Sequence, residues 1–176
     1  MASSPSLVSA RLPPNALART DHSACRVTAT VTVTEVVFHF NAADKRAHAC
    51  RLLRKAYLQG ARLLVVAEPQ ELAPLDAALW TLAGRDFIPH ARFNDPAGLQ
   101  AHSPILLAGE WPAPVPRPQD RVLVNLSHGF LTGFEQFARV IELVSQDLPD
   151  RERARERWKA YRAAGIDPEH HDFATR

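Results

Sequence analysis

The residues of this chain that could do chemistry are eight histidines, two cysteines and a Ser127-His128 pair. Their spacing argues against each obvious use. His170 and His171 are adjacent, with Asp172 beside them and no cysteine near, which is not the pattern of a zinc site, so a solvated tail is expected. Cys50 and His48 are two apart on an expected helix and point apart, so they are not a thiol–imidazole pair. Ser127-His128 lacks the context of a nucleophile elbow. His39, on a β-rich run, could serve a reaction or be buried and hydrogen-bonded. Phosphate chemistry needs a loop whose glycines let the backbone approach the ligand, but the first strand-to-helix link is Asn41-Ala42-Ala43-Asp44. Neither GxGxxG nor GxxxxGK[ST] occurs. No catalytic residue, metal ligand or cofactor site is singled out, and Cys25 and Cys50 read as two reduced thiols.

Two surfaces suit recognition instead. The last helical segment, Arg151 to Arg162, carries six basic residues against two acidic ones. Ala154, Trp158 and Tyr161 fall at i, i+4 and i+7, a narrow apolar seam. Arg151, Arg155 and Arg162 share one flank, with Lys159 just beyond. An aromatic ring beside guanidinium forks can hold a peptide that is both acidic and hydrophobic. The plainer alternative is a surface helix with its rings on the core and its charges in water. Direct contact with a nucleic-acid backbone is a third option, which the narrow seam and small net charge make secondary. The other surface is around Trp80. Leu75, Leu79 and Leu82 make the buried stripe of their helix, and Trp80 lies off it, close to Phe87 and Pro89. It is either a partner site or a ring packed under a loop.

The elements that must position these residues alternate. Glu35 to Phe40 is the first strand. A helix follows, with Asn41 as a possible cap, Ala49, Leu53, Ala56 and Tyr57 at helical spacing, and Gln59-Gly60 as its stop. Arg62 to Ala67, Ile105 to Ala108 and Arg121 to Leu126 are almost unbroken apolar runs, as in strands covered on both faces. A second helix is expected from about Pro74 to Leu82, ended by Gly84. Phe87-Ile88-Pro89-His90 reads as a short strand. Phe134, Phe137, Ala138, Ile141 and Val144 have the spacing of an amphipathic helix broken by Pro149. Asp150 then caps a final helix to about Ala164, closed by Gly165. The class is α/β: a three-layer, mostly parallel sheet flanked by helices, Rossmann-like but without a nucleotide-binding loop.

The chain has 176 residues, 46% hydrophobic and 23% charged, with a formal net charge of +2. That fits one soluble domain, with no run apolar enough to span a membrane. Residues 1–33 are rich in Ser, Ala and Pro and are expected to be a disordered N-terminal extension, although Val27 to Val33 could be extended. Their arginines and the lack of an acid before Asp21 give them a faint likeness to a transit peptide. Residues 34–176 are expected to form a single domain.

Leu75-Asp76-Ala77-Ala78-Leu79-Trp80, followed by Phe87-Ile88-Pro89-His90, resembles the central signature of the DNA polymerase III chi subunits. Arg155 to Gly165, RERWKAYRAAG, resembles their C-terminal signature, in the right order and at matching spacing. The resemblance covers about Thr34 to Gly165. It implies a nucleotide-binding-like fold without nucleotide chemistry, no cofactor, and a cytoplasmic, non-catalytic adaptor with two contacts. One is the psi subunit of the clamp loader, or a competing helicase, at Trp80, Phe87 and Pro89. The other is the acidic, phenylalanine-ending tail of single-stranded-DNA-binding protein, at Arg155, Trp158, Lys159, Leu148 and Arg162. DNA would be met mainly indirectly. Trp158 stands where the family often has tyrosine, and a basic residue the family supplies before Arg155 could be replaced by Arg151 or Arg153. The competing classes stay distinct. A nucleotide-binding or hydrolytic enzyme needs a polar pocket at the C-terminal ends of the strands, and a direct single-stranded-DNA binder needs a steep salt dependence on bare oligonucleotide.

Overall fold

The apolar runs become strands buried on both faces. The computed structural model describes residues 34–81, 87–112, 114, 115 and 117–173. The expectations for residues 1–33, Cys25, Leu82 and Gly84 fall outside the described residues. Seven strands, β1 (Glu35–Ala42), β2 (Arg62–Val66), β3 (His90–Arg92), β4 (Ile105–Ala108), β5 (Arg121–Asn125), β6 (Arg139–Ser145) and β7 (Glu169–Asp172), form one sheet. Its order is β3-β4-β2-β5-β6-β1-β7, and every pairing is parallel.

Among the described residues four helices flank it: α1 (Lys45–Leu58), α2 (Pro69–Thr81), α3 (Ala97–His102) and α4 (Leu148–Ala163). Period-2 alternation splits the core into two layers. Leu63, Val65, Ile105, Leu107, Ile141 and Leu143 meet α1 and α2 through Leu53, Leu75 and Leu79. Phe38, Leu64, Leu106, Leu123 and Val140 face the other way, onto α4 through Ala154 and Tyr161, with Phe134 and Phe137 from the β5–β6 connection. The sheet is therefore the middle of three layers, as the alternation of elements required.

Several expected elements differ. The segment expected as a helix around Phe134–Val144 is a short 3-10 turn, Phe134–Gln136, followed by β6. Its apolar residues satisfy helical spacing, but β-branched Val140, Ile141 and Val144 fill both faces of a strand wedged between β1 and β5. Pro149 ends no helix. It sits in the first turn of α4, where a missing N–H costs nothing. Asp150 is not the cap: Asp147 holds that position, and the Asp150 carboxylate turns inward to Ser145 N–H at 2.8 Å and Lys45 Nζ at 2.9 Å.

α1 is capped by Asp44, which accepts from Ala47 N–H at 2.9 Å, and not by Asn41, whose φ is +63°. α2 starts at Pro69, not near Pro74, and runs through Pro74 while Leu75 and Leu79 hold it on the sheet. The short strand expected at Phe87–His90 begins only at His90, and α3 was not foreseen. The expected tail at His170-His171 is strand β7, which covers the open edge of β1 while its own side chains stay exposed.

Candidate functional site

Parallel pairing sets which side chains meet α4. On β1, Phe38 and Phe40 share a face, and the register Phe38↔His170 puts His170 on that face too. From the helix, Trp158 lies over them, its ring 5.0 Å from Phe38, 6.3 Å from Phe40 and 6.2 Å from His170 between centroids. Phe40, Arg155, Trp158, Lys159 and His170 line a hollow of about 400 Å³ with an almost wholly apolar floor. A smaller hollow of about 200 Å³ adjoins it, lined by Phe40, Asn41, Arg151, Arg155, His170 and Asp172. Trp158 is half-buried, so its ring forms a wall rather than part of the interior.

The cations of α4 have separate fates. Arg157 is buried: its Nε lies 2.9 Å from Glu142 and its Nη1 donates to His128 C=O at 3.0 Å. Glu142, in the middle of β6, also accepts from Tyr161 Oη at 2.8 Å and Asn125 Nδ2 at 3.0 Å. Burial raises the Glu142 carboxyl above its usual range, with Arg157 and the two hydrogen bonds working against it. Burial first and then the neighbouring Glu142 carboxylate raise the Tyr161 phenol. This network fixes the rotation of α4 on the sheet. Lys159 pairs with Glu156 at 2.9 Å with both side chains largely exposed, and Arg162 pairs with Asp167 at 3.0 Å. Arg155 forms no ion pair among the described residues, and it lines both hollows. Arg162 and Leu148 are not brought to the hollow, and Leu148 is 70% exposed in the first turn of α4.

Trp80 and Phe87 come together at a separate place beside His90, while Pro89 is half-buried in the chain between Phe87 and His90. Trp80 is 59% and Phe87 51% exposed, their rings 4.6 Å apart. Behind them His90 is pinned by Ile88 C=O and by Asp76, which also pairs with Arg92 at 3.0 Å. Rings held in place yet half in water are the usual make-up of an interface centre.

The residues first weighed for catalysis are otherwise engaged. Ser127 Oγ donates to Asn125 at 2.8 Å, while His128 Nδ1 lies 3.0 Å from Glu68. His39 Nδ1 and His48 Nε2 are 3.1 Å apart under the ring of Phe173. Burial, then His48 and other neighbouring cations, lowers His39 to a pKa of about 4. Burial raises the Cys50 thiol. Among the described residues, no three His, Cys, Asp or Glu side chains form a group able to hold a metal ion.

The polar crevice that a nucleotide enzyme needs is present, about 580 Å³ at the C-terminal ends of the strands. Its walls carry Asp44, Glu68, Glu71, Asp147 and Asp150. Lys45 and Arg46 line it too, but each is already paired, with Asp150 and with Glu71 at 2.9 Å, so the crevice keeps a net acidic lining that disfavours a phosphate. No helix among the described residues is long and apolar enough to cross a membrane.

Phe40, His170 and the Glu142–Arg157 pair were missed as site residues in the sequence. Phe40 was visible through its alternation with Phe38. Glu142, the one charge in Val140–Val144, was a signal hidden by reading that run as a helix. His170 gave no signal.

The family model described as DNA polymerase III chi subunit, HolC, matches residues 33–169. The chain is similar to DNA polymerase III subunit chi of Escherichia coli (strain K12), 30% identical over 118 residues, which cover 66% of this chain and 78% of that protein. It is also similar to DNA polymerase III subunit chi of Pseudomonas aeruginosa, 32% identical over 124 residues, covering 70% and 82%.

Proposed function

Because the chain belongs to the DNA polymerase III chi subunit family, accessory and non-catalytic replication subunits, we propose that it works as an adaptor through two surfaces. The α4 hollow takes the acidic, phenylalanine-ending tail of single-stranded-DNA-binding protein. The Trp80–Phe87–Pro89 surface takes psi, and through it the clamp loader, or a competing helicase. The protein acts in the cytoplasm at replication forks and meets DNA mainly through these partners.

One observation carries the tail reading: an apolar hollow walled by Trp158 and Phe40, with Arg155 on its lining. Its volume lies within the ~300–1,000 Å³ span of small-ligand pockets. A terminal phenyl ring would fill the floor. The chain-end carboxylate and neighbouring acids would take Arg155, with Arg151 and Lys159 adding charge around it. Arg162 and Leu148 would act farther along the tail, outside the hollow.

The test is titration of a labelled tail peptide against wild type, Arg155→Ala and Trp158→Ala at low and high salt. Each variant should weaken binding by about 10-fold or more, as removal of an interface anchor does. Salt should weaken the wild-type complex. A double variant that binds with wild-type affinity would remove the site.

A further inference from the structure

The two hollows share three residues, Phe40, Arg155 and His170, and His170 comes from β7, most of which lies beyond the region matched by the family model. Strand β7 is anchored from behind. The register pairs His39 with His171, whose rings lie 5.8 Å apart on the face opposite the hollow. Phe173 N–H donates to Phe40 C=O at 3.0 Å, and the Phe173 ring packs 4.9 Å from His39 and 4.4 Å from His48. Asp172 accepts from Asn41 Nδ2 at 2.8 Å. The strand is thereby fastened on the α1 side while His170 stands on the α4 side, 6.5 Å from Phe40 and 6.2 Å from Trp158.

We propose that β7 is a structural wall of the peptide groove and that His170 is a specificity-determining residue that contacts the aromatic end of an acidic chain terminus. This rests on the tail reading above and adds a residue and an element to it. The occupant follows from charge and shape. Arg151, Arg155 and Lys159 border the two hollows and favour carboxylates, while Asp172 is the one acid on either lining. The almost wholly apolar floor of the larger hollow favours a ring over a polar side chain. A chain end spanning both hollows must pass His170. An imidazole edge beside Trp158 and Phe40 closes the third side of the ring's seat, as aromatic groups do at such distances.

The experiment uses the full chain and two fluorescent acidic peptides, alike except that one ends in phenylalanine and the other in alanine. His170→Ala should weaken the phenylalanine-ended peptide by about 3- to 10-fold, the scale of one aromatic contact. It should leave the weaker binding of the alanine-ended peptide unchanged. His170→Phe should restore the wall to within about 2-fold of wild type, whereas His170→Glu should weaken both peptides through like-charge repulsion. Because His170 is exposed, all three variants should keep the wild-type denaturation midpoint, which the same samples report. Equal losses on both peptides in His170→Ala, or no loss while Arg155→Ala loses binding, would overturn the wall and leave the tail site standing. Failure of the wild type to bind the phenylalanine-ended peptide would overturn both.

Discussion

Arg157→Met should be among the most damaging single substitutions on α4, although the residue touches no proposed ligand. It removes the partner of a carboxylate with no exposure to water and breaks the Arg157 bonds to Glu142 at 2.9 Å and to His128 C=O at 3.0 Å. Breaking a buried pair by removing one member costs about 3–5 kcal/mol, because the other charge is stranded. A domain of this size has about 5–15 kcal/mol in all, so about a fifth or more of its stability is at stake. With a urea m-value of about 2 kcal/mol/M, the midpoint should fall by about 1.5–2.5 M. Glu142→Leu alone should cost a similar amount, since it leaves the guanidinium buried, with its Nη2 already lacking a partner among the described residues.

The double variant Glu142→Leu/Arg157→Met should recover most of the loss. Asn125 and Tyr161 would still each lose a hydrogen bond worth about 1 kcal/mol, leaving the double variant about 2 kcal/mol below wild type. Urea unfolding followed by near-ultraviolet circular dichroism gives all four corners of this cycle. Single variants that each cost under about 1 kcal/mol, or losses that simply add, would refute the view that this pair locks α4 in place.

Acid should weaken the protein through His39. The unfolded histidine protonates near 6.5 and the folded one near 4, so its contribution is intact above pH 6.5 and is lost as pH falls toward 4. Allowing for partial solvent screening, the loss is about 2 kcal/mol, and His39→Leu should flatten that limb of the stability–pH curve. A curve of unchanged steepness in the variant would discard this assignment. Trp80→Ala with Phe87→Ala should cost under about 1 kcal/mol of stability, because both rings are already half in water. The same pair should weaken psi binding by about 30-fold, as loss of an interface centre does, and leave tail-peptide affinity unchanged. Undiminished psi affinity in a calorimetric titration would dismiss that surface.

The sequence disclosed the architecture where one physical signal dominated. Arg62–Val66, Ile105–Ala108 and Arg121–Asn125 are short apolar runs with no helical gap, and only a two-sided parallel sheet buries them. It misled where two periods fit the same letters. Phe134, Phe137, Ile141 and Val144 satisfy a helix on paper, but the chain must insert a strand between β5 and β1, and long-range pairing overrides local spacing. Arg155 and Trp158 are legible because a helix face is a local property. Phe40 and His170 join them through registers across 130 residues of chain, and no window on the sequence contains that pairing. Arg157 looks the same as Arg155 in the sequence, and only the packing of α4 over Glu142 shows that Arg157 is structural while Arg155 lines the hollow.

Strand β1 lies between β6 and β7, the last two strands in chain order. On the ribosome, Val36, Val37 and Phe38 therefore emerge early and wait for their neighbours until more than a hundred further residues have been made. At a synthesis rate of about 5–20 residues per second, that is a wait of several seconds or more with an unpaired, greasy segment facing water. This layout makes the nascent chain a natural client for holding chaperones. Moving the β6–α4–β7 block ahead of β1 by circular permutation should shorten that exposure and raise the folded yield.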